Sequence, residues 1–234
     1  MKKIILNQKS YLTYDEMLKY KSEFDKFSND KYELVLFPPV LYLSMFKDFK
    51  YSLGSQNFYS SKEGSFTGEI SLEALKSIGA TYTMVANHDR RKYNGETSAD
   101  SKEKLFKSIN AKFNTLLYIG EVKKSIHAFT YIKRELNMYL KNVDKSSLKY
   151  LSIVYEPNWS IGNSEIQDVN KINKILKRIK IYVKNIYGVN INVYYGGRVN
   201  KNNIHEIFEI SDGIVLGKVS TNTKELKDLL SKIY

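Results

Sequence analysis

The feature that most constrains the fold is a regular alternation, along the whole chain, of short apolar runs with segments of helical pattern. Short apolar runs bounded by polar or turn-forming residues are typical of buried strands. Eight segments are predicted as strands, some of them apolar throughout and some, such as 51–56, interrupted by polar residues. They are residues 3–7, 33–37, 51–56, 81–87, 115–119, 151–155, 191–195 and 213–216. Strands that alternate with helices predict parallel strands joined by right-handed crossovers, and therefore an α/β protein.

Helical patterns fill the segments between these runs. Thr13 and Glu16 form a capping box, and Met17, Tyr20 and Phe24 then follow at helical spacing on one face. A short helical pattern ends near residue 47, and others lie near residues 72–77, 100–110, 125–140, 166–187 and 223–233. The helices therefore have the positions that crossover connections between parallel strands require.

The length of the chain fits one compact unit. Its 234 residues contain no linker-like break, internal repeat or low-complexity segment, so we predict a single domain over residues 1–234. A barrel of eight parallel strands typically needs about 250 residues, which agrees with this length. The strand pattern leaves one alternative open, a doubly wound sheet with helices on both faces.

Composition limits where the protein acts. Hydrophobic residues make up 42% of the chain, which is enough for a sizeable core, yet no apolar run is long enough to span a membrane. The first apolar run, from Ile4 to Leu6, is too short for a signal peptide. The chain has no cysteine, which excludes disulfides and thiol chemistry. We therefore predict a soluble cytoplasmic protein without a membrane partner.

The charge and the histidines argue against two further classes of partner. The formal net charge of +12 permits binding to polyanions, but the lysines are scattered among Asp and Glu. No recognisable nucleic-acid module accompanies them, so we predict no nucleic-acid partner. His127 and His205 lie in helical patterns without metal-ligand spacing, so we predict no metal site.

Polar residues and glycines follow five of the predicted strands, where the loops of such a barrel form its active face. They are Asn7 and Lys9 after the first strand, Asn87, His88 and Asp89 after the fourth, Glu156 after the sixth, Gly196, Gly197 and Arg198 after the seventh, and Gly217 and Lys218 after the eighth. A lysine, a carboxylate, amides and glycine-bearing loops at one mouth suit proton abstraction beside a carbonyl group in an anionic substrate.

Glu156 stands out in this set because it lies at the tip of a strand, directly before Pro157. The proline favours extended geometry at Glu156 and stops the strand. The chain's only tryptophan, Trp159, and then Gly162 follow before the next helical pattern. This arrangement is typical of a catalytic base followed by a closing lid. The alternative is an ordinary exposed glutamate at a strand end.

Several short motifs occur in a fixed order along the chain. They are Asn7-Gln8-Lys9, Phe37-Pro38-Pro39, Gly54-Ser55-Gln56-Asn57, Gly64-Ser65-Phe66-Thr67-Gly68-Glu69-Ile70-Ser71, Asp89-Arg90-Arg91, Gly120-Glu121, Tyr155-Glu156-Pro157, Tyr195-Gly196-Gly197 and Asp212-Gly213. In this combination and order the chain resembles the triosephosphate isomerase family over essentially its full length. The resemblance implies an α/β fold of the TIM (β/α)8 barrel type, a small phosphorylated sugar as substrate, no cofactor and a homodimer.

The resemblance also implies roles for three side chains. Glu156 matches the family's catalytic glutamate, which moves a proton between two substrate carbons. Lys9 matches the family's lysine, a fixed cation that stabilises an enediolate oxygen, and Asn7 would orient it. The alternative for Lys9 is a surface lysine that pairs with Asp89.

Loop positions gain roles in the same way. Residues 157–165 match the family's lid, which closes over the phosphate and excludes water. The amide of Gly162 and the backbone around Gly197 and Gly217 match the phosphate-binding groups. Thr67 lies near the tip of a loop that inserts, in this family, into the partner subunit beside the active site.

The chain departs from the family after the fourth strand. Asn87 stands at the position of the family's neutral catalytic histidine. Its amide can donate a hydrogen bond to a carbonyl oxygen but cannot pass a proton between two oxygens, so we predict reduced activity. Strand alternation turns His88 to the opposite side, unless a bulge re-aims it. Asp89 replaces a glutamate and shortens the arm that steadies Lys9.

Two further departures lie at the phosphate end. Arg198 replaces a serine of the family and Lys218 replaces a glycine, and these side chains either add charge for the phosphate or obstruct it. Three functions therefore stay open. They are an isomerase of D-glyceraldehyde 3-phosphate and dihydroxyacetone phosphate with reduced activity, a non-catalytic binding or interaction module, and an isomerase of another phosphorylated sugar.

Overall fold

Eight parallel strands form one closed barrel in the computed structural model, which describes residues 1–27, 30–60, 64–161 and 166–234. The strands are β1 (Lys3–Asn7), β2 (Glu33–Phe37), β3 (Ser52–Ser55), β4 (Tyr82–Val85), β5 (Asn114–Ile119), β6 (Leu151–Tyr155), β7 (Asn192–Tyr195) and β8 (Gly213–Leu216). Each strand pairs with the next in chain order, and β1 also pairs with β8. This last pairing closes the sheet. The barrel prediction is therefore confirmed, and the doubly wound alternative is wrong.

Helices connect the strands around the outside of the barrel. They are α1 (Tyr14–Asp25), α2 (Leu72–Ser77), α3 (His88–Tyr93), α4 (Ser98–Asn110), α5 (Ala128–Leu140), α6 (Val169–Tyr187), α7 (Ile204–Ile210) and α8 (Thr223–Leu230). The capping box at α1 is present, since the Thr13 N–H donates to the Glu16 carboxylate at 2.8 Å. Within the described ranges, no helix combines the length and apolar character needed to cross a membrane.

Two layers of apolar side chains stabilise the barrel. The inner layer fills the barrel itself and consists of Ile5, Val35, Phe37, Tyr82, Met84, Leu116, Tyr118, Val154, Tyr194 and Val215. Because side chains alternate along a strand, β1 contributes Ile4 and Leu6 to the outer layer, against the helices. Each fully buried side chain of this size contributes about 1.5–3 kcal/mol. The filled interior leaves room for a ligand at the ends of the strands and not within the barrel.

The end of β4 differs from its prediction. The strand ends at Val85, before the predicted end at residue 87, and α3 follows from His88. Ala86 has a φ of 58°, which takes the chain out of extended geometry. Asn87 then caps α3, and its side-chain oxygen accepts the Asp89 N–H at 3.0 Å. The prediction that strand alternation sets the direction of His88 is therefore wrong, because His88 is helical.

Two other helices differ from the sequence pattern. The pattern near residues 166–187 begins as a helix only at Val169, because the Asp168 side chain caps it by accepting the Lys171 N–H at 3.0 Å. The segment between β7 and β8 contains α7, where the sequence indicated only a helical pattern around His205. Neither difference changes the order of the strands.

Candidate active site

The predicted site residues converge at the carboxyl ends of the barrel strands. A cavity of about 460 Å³ is lined by Asn7, Lys9, Glu156, Gly197, Arg198, Gly217 and Lys218, among others. An adjoining cavity of about 440 Å³ is lined by Asn7, Lys9, Asn87 and Asp89, again among others. Lys9 and Glu156 thus face the same space, and Asn7 and Lys9 connect the two cavities.

Glu156 follows β6 directly and is held by its backbone. Its N–H donates to the carbonyl oxygen of Ile119 on β5 at 2.8 Å. Gly120 makes this approach possible, since a Cβ at that position would lie 1.8 Å from the Glu156 carbonyl oxygen. The Glu156 residue is only 9% exposed, so the alternative of an exposed glutamate is wrong.

Burial also sets the basicity of Glu156. Desolvation raises the pKa of its carboxyl to about 8, against the opposing influence of the Lys9 charge. A carboxylate with a raised pKa takes a proton from carbon more readily than an ordinary glutamate does. The site therefore contains a base whose strength suits proton abstraction near neutral pH.

Lys9 is held by hydrogen bonds to its backbone and by an ion pair to its ammonium group. It has a φ of 52°, and the Asn7 side-chain oxygen accepts its N–H at 3.2 Å. The Gln56 amide donates to the Lys9 carbonyl oxygen at 2.9 Å, and the Lys9 Nζ lies 2.7 Å from Asp89 Oδ2. Burial alone lowers the pKa of Lys9, but Asp89 and then Glu156 raise it above its ordinary value. Lys9 therefore pairs with Asp89 and presents a permanent cation to the cavity.

Asn87 presents an amide to the adjoining cavity. It is 8% exposed, and its Oδ1 is occupied by the Asp89 N–H. The Nδ2 group is therefore the part of this side chain that remains to donate to a ligand. His88, in contrast, lines neither of these two cavities, and burial lowers its pKa below the ordinary histidine value.

Helix α3 is anchored by Arg90 and Arg91, for which the sequence pattern predicted no role of their own. Arg91 Nη1 donates to Glu135 Oε1 at 2.8 Å, and Glu135 Oε2 accepts the Gly120 N–H at 2.9 Å. Arg90 Nε donates to the Glu96 carboxylate at 3.0 Å. The first pair ties α3, which is capped by Asn87 and contains Asp89, to the end of β5, beside Glu156. No local pattern reveals it, since Arg91 and Glu135 are far apart in the sequence.

Two basic side chains, Arg198 and Lys218, line one end of the larger cavity. Both side chains are exposed to solvent. The Lys218 Nζ lies 6.0 Å from the centre of the Tyr11 ring, a cavity residue that the sequence analysis missed. A Cβ at Gly217 would meet nothing closer than Lys9 Cε at 3.8 Å, so backbone there is open to a ligand. Gly162 lies outside the described residues.

The first residues of the predicted lid, 157–161, are held by hydrogen bonds to the chain that follows β5. The Trp159 Nε1 donates to Glu121 Oε1 at 2.8 Å, and the Tyr155 hydroxyl donates to the same oxygen at 3.2 Å. The Asn158 amide donates to the Gly120 carbonyl oxygen at 3.2 Å. These contacts link the segment after Glu156 to the end of β5.

Thr67, which was predicted to lie at a contact between subunits, is exposed to solvent in the single chain. Its neighbours Gly68, Glu69 and Ile70 line the cavity that also contains Asn87 and Asp89. The loop that carries Thr67 therefore borders the cavity at Asn87 and Asp89 of the same chain. In the parts of the chain that the structure describes, no group of three or more His, Cys, Asp or Glu could hold a metal ion.

Comparison with known proteins agrees with this geometry. The family model described as triosephosphate isomerase matches residues 2–233. The triosephosphate isomerase of Mycoplasma genitalium is 35% identical over 184 residues, which cover 76% of this chain and 73% of that protein. That of Wigglesworthia glossinidia brevipalpis is 33% identical over 243 aligned residues, which cover 98% of this chain and 91% of that protein.

Proposed function

Because the chain belongs to the triosephosphate isomerase family, we propose that it interconverts D-glyceraldehyde 3-phosphate and dihydroxyacetone phosphate, with reduced turnover. The observation that carries the proposal is that Lys9 and the buried carboxyl of Glu156 line one cavity. A cation and a base beside one carbonyl compound are the minimum for proton transfer through an enediolate.

Glu156 is the base in this reaction. Its carboxylate takes a proton from C1 of dihydroxyacetone phosphate, and the electron pair of the broken C–H bond forms the enediolate. The protonated carboxyl then returns a proton to C2, which gives the aldehyde. The proton that must also move from the C1 hydroxyl to the C2 oxygen passes through the same carboxyl group, because an asparagine amide does not transfer it.

Lys9 and Asn87 stabilise the oxygen that becomes negative. The Lys9 ammonium, steadied by Asp89, supplies a fixed positive charge, and Asn7 orients the Lys9 backbone. The Asn87 Nδ2 donates a hydrogen bond to the substrate carbonyl. Asn87 lacks the acid–base function of a histidine, whose loss costs a factor on the order of 10²–10⁴ in rate. Turnover is therefore slower than in family members that carry a histidine at this position.

The phosphate binds at the other end of the cavity. Backbone N–H groups around Gly162, Gly197 and Gly217 hold it, as backbone donors commonly hold phosphates. Arg198 and Lys218 on the rim add positive charge near the phosphate. Residues 157–165 form a lid that excludes water from the enediolate.

The same proposal includes the assembly and the location of the protein. Residues 1–234 form a single domain, and two copies form a homodimer in which the loop carrying Thr67 enters the partner beside Asn87 and Asp89. The open cavity at those residues and the exposed Thr67 support this arrangement. The absence of cysteine fits a protein that works in the reducing cytoplasm without thiol chemistry.

The role of Asn87 is tested by turnover of glyceraldehyde 3-phosphate in a coupled assay. Asn87→His is expected to raise kcat by about tenfold or more, because it restores a group that transfers protons. His88→Gln is the matched control and leaves kcat within about twofold of the unmodified protein, since His88 lines neither cavity. Loss of turnover in His88→Gln, without a gain in Asn87→His, contradicts the assignment.

A second candidate, a non-catalytic binding module, is favoured by the clustering of Asn87, Asp89, Arg198 and Lys218 around one mouth. A thermal-shift titration with 2-phosphoglycolate, an anion that resembles the enediolate, separates the two. Stabilisation by this anion together with absent turnover favours the binding module. Stabilisation together with turnover supports the isomerase.

A third candidate is an isomerase of a different phosphorylated sugar. The two cations Arg198 and Lys218 are the feature that would favour it.

A further inference from the structure

A third cavity lies on the outer side of the barrel mouth, where the start of α5 faces the first turns of α6. Its volume is about 540 Å³, within the range of about 300–1,000 Å³ typical of small-molecule sites. Lys9 and Glu156 do not line it, so it is a different cavity from the one that holds the proposed catalytic groups, although Trp159 of the proposed lid is part of its wall. No step of the isomerase mechanism uses the side chains of its wall on α6.

Apolar and aromatic side chains form much of the wall of this outer cavity. It is lined by Phe129 of α5, by Ile175 of α6 and by Trp159, which precedes α6. Two apolar residues at the same cavity are exposed to solvent, Ile126 by 95% and Ile166 by 45%. Exposed apolar side chains grouped around a concavity mark binding sites more often than scattered ones do. The wall is therefore suited to a flat apolar group such as an aromatic ring.

Four cations line the same cavity. The Nζ of one, Lys124, lies 5.2 Å from the centre of the Trp159 ring, and the other three lie on α6. Lys171, Lys174 and Arg178 are spaced along α6 so that they lie on one helical face, and all three line the cavity. The Arg178 guanidinium carbon lies 4.0 Å from the centre of the Phe129 ring. None of the three forms an ion pair with another residue in the described part of the chain. Their charge is available to a ligand.

The two acidic residues of the cavity determine which way a ligand enters. Glu121 is 3% exposed, so its carboxylate lies at the inner end, where its Oε1 already accepts the Trp159 indole N–H. An anionic group is repelled there and attracted to the row of cations on α6. Asp168 is engaged as the cap of α6, through the Lys171 N–H. An apolar ring therefore enters first, and a negative group stays at the α6 side.

We propose that this outer cavity binds a small aromatic anion, with its ring against Phe129 and Trp159 and a phosphate or sulfonate group on Lys171, Lys174 and Arg178. A planar ring next to Arg178 and the Trp159 indole gains both stacking and cation–π contacts. The ammonium and guanidinium groups form charge-assisted hydrogen bonds to the anionic oxygens.

The probe for this site is 1-naphthyl phosphate, titrated calorimetrically into protein that is saturated with 2-phosphoglycolate. One saturable site per chain is expected, together with a change in the fluorescence of Trp159, the chain's only tryptophan. 1-Naphthol, which lacks the anion, and inorganic phosphate, which lacks the ring, are each expected to bind at least about tenfold more weakly.

A pair of double variants with equal loss of charge tests the position of the site. Lys171→Gln with Lys174→Gln is expected to weaken 1-naphthyl phosphate binding about tenfold. Lys177→Gln with Lys184→Gln changes two lysines of α6 that do not line the cavity, and leaves the affinity within about twofold. Equal weakening by both pairs, or no saturable binding at millimolar probe, overturns the proposal. Both pairs keep their turnover, so the outcome is independent of the isomerase proposal.

Discussion

At the scale of single residues, Glu156 combines two properties that oppose each other. Its position as a base requires a negative charge, whereas its burial disfavours that charge and raises its pKa to about 8. The folded protein therefore holds the Glu156 proton more tightly than the unfolded chain, in which the carboxyl has its ordinary pKa of 4.5. The resulting stability is present below the unfolded pKa and is lost as the pH rises towards about 8.

This linkage gives a prediction for Glu156→Gln, which removes the ionisation. The variant is expected to increase the free energy of unfolding by on the order of 3 kcal/mol at about pH 8.5, and to change it little at about pH 5. Urea denaturation at the two pH values measures the difference. Glu103→Gln, an exposed glutamate of α4, is the matched control and should show no such dependence. An equal effect of Glu156→Gln at both pH values contradicts the raised pKa.

Part of the site could be predicted at the residue scale, and part could not. The position of Glu156, Lys9 and Asn7 at the cavity could be predicted because each stands within three residues of the end of an apolar run, which is a local signal. The groups that position them are far apart in the sequence. Gln56 reaches Lys9 across 47 positions, and no periodicity or local motif encodes that contact.

At the scale of elements, the end of β5 positions Glu156 at the end of β6. Gly120 lies against the Glu156 backbone, and its N–H is bound by Glu135, which also holds Arg91 of α3. One turn of chain thus sets the position of Glu156 and, through α3, of Asn87. A shift of this turn displaces the base and the hydrogen-bond donor together.

Gly120→Ala tests this arrangement. The added methyl group collides with the Glu156 carbonyl, so the free energy of unfolding is expected to fall by about 2–3 kcal/mol. Displacement of the base by even about 1 Å lowers kcat about 100-fold. Denaturation and the coupled assay measure the two effects.

The control for Gly120→Ala is Gly188→Ala at the end of α6. Gly188 has a φ of 73° and open space around its Cβ position, so the variant loses about 1 kcal/mol through backbone strain alone. Its turnover per folded molecule should be unchanged. A normal kcat in Gly120→Ala contradicts the positioning role of the β5 end.

Elements differed in how well the sequence predicted them. Strands such as β1 and β6 were predictable because buried β-strands leave apolar runs, and α1 because its capping box is local. Helix α3 was missed because it has six residues, none of them buried, so it leaves no apolar periodicity. Its one local signal is the capping residue Asn87, which the pattern assigned to the strand.

At the scale of the whole molecule, the barrel brings together groups that the chain supplies separately. The apolar pattern predicted parallel strands but not their closure, because closure depends on the pairing of β1 with β8 at opposite ends of the chain. Closure decides the function, since it places Lys9 after β1 and Glu156 after β6 around one cavity. In an open sheet the two loops would not share a mouth.

The central claim is that Glu156 transfers a proton between carbons of a triose phosphate bound in this cavity. Conversion of glyceraldehyde 3-phosphate in deuterium oxide, followed by proton NMR, tests it most directly, with the rate in buffer alone subtracted. We predict dihydroxyacetone phosphate that carries deuterium at C1 from the unmodified protein, and no conversion above the buffer rate by Glu156→Gln. Deuterium at C1 reports exchange of the Glu156 proton with solvent before it is returned to carbon. Equal conversion with Glu156→Gln would contradict the account.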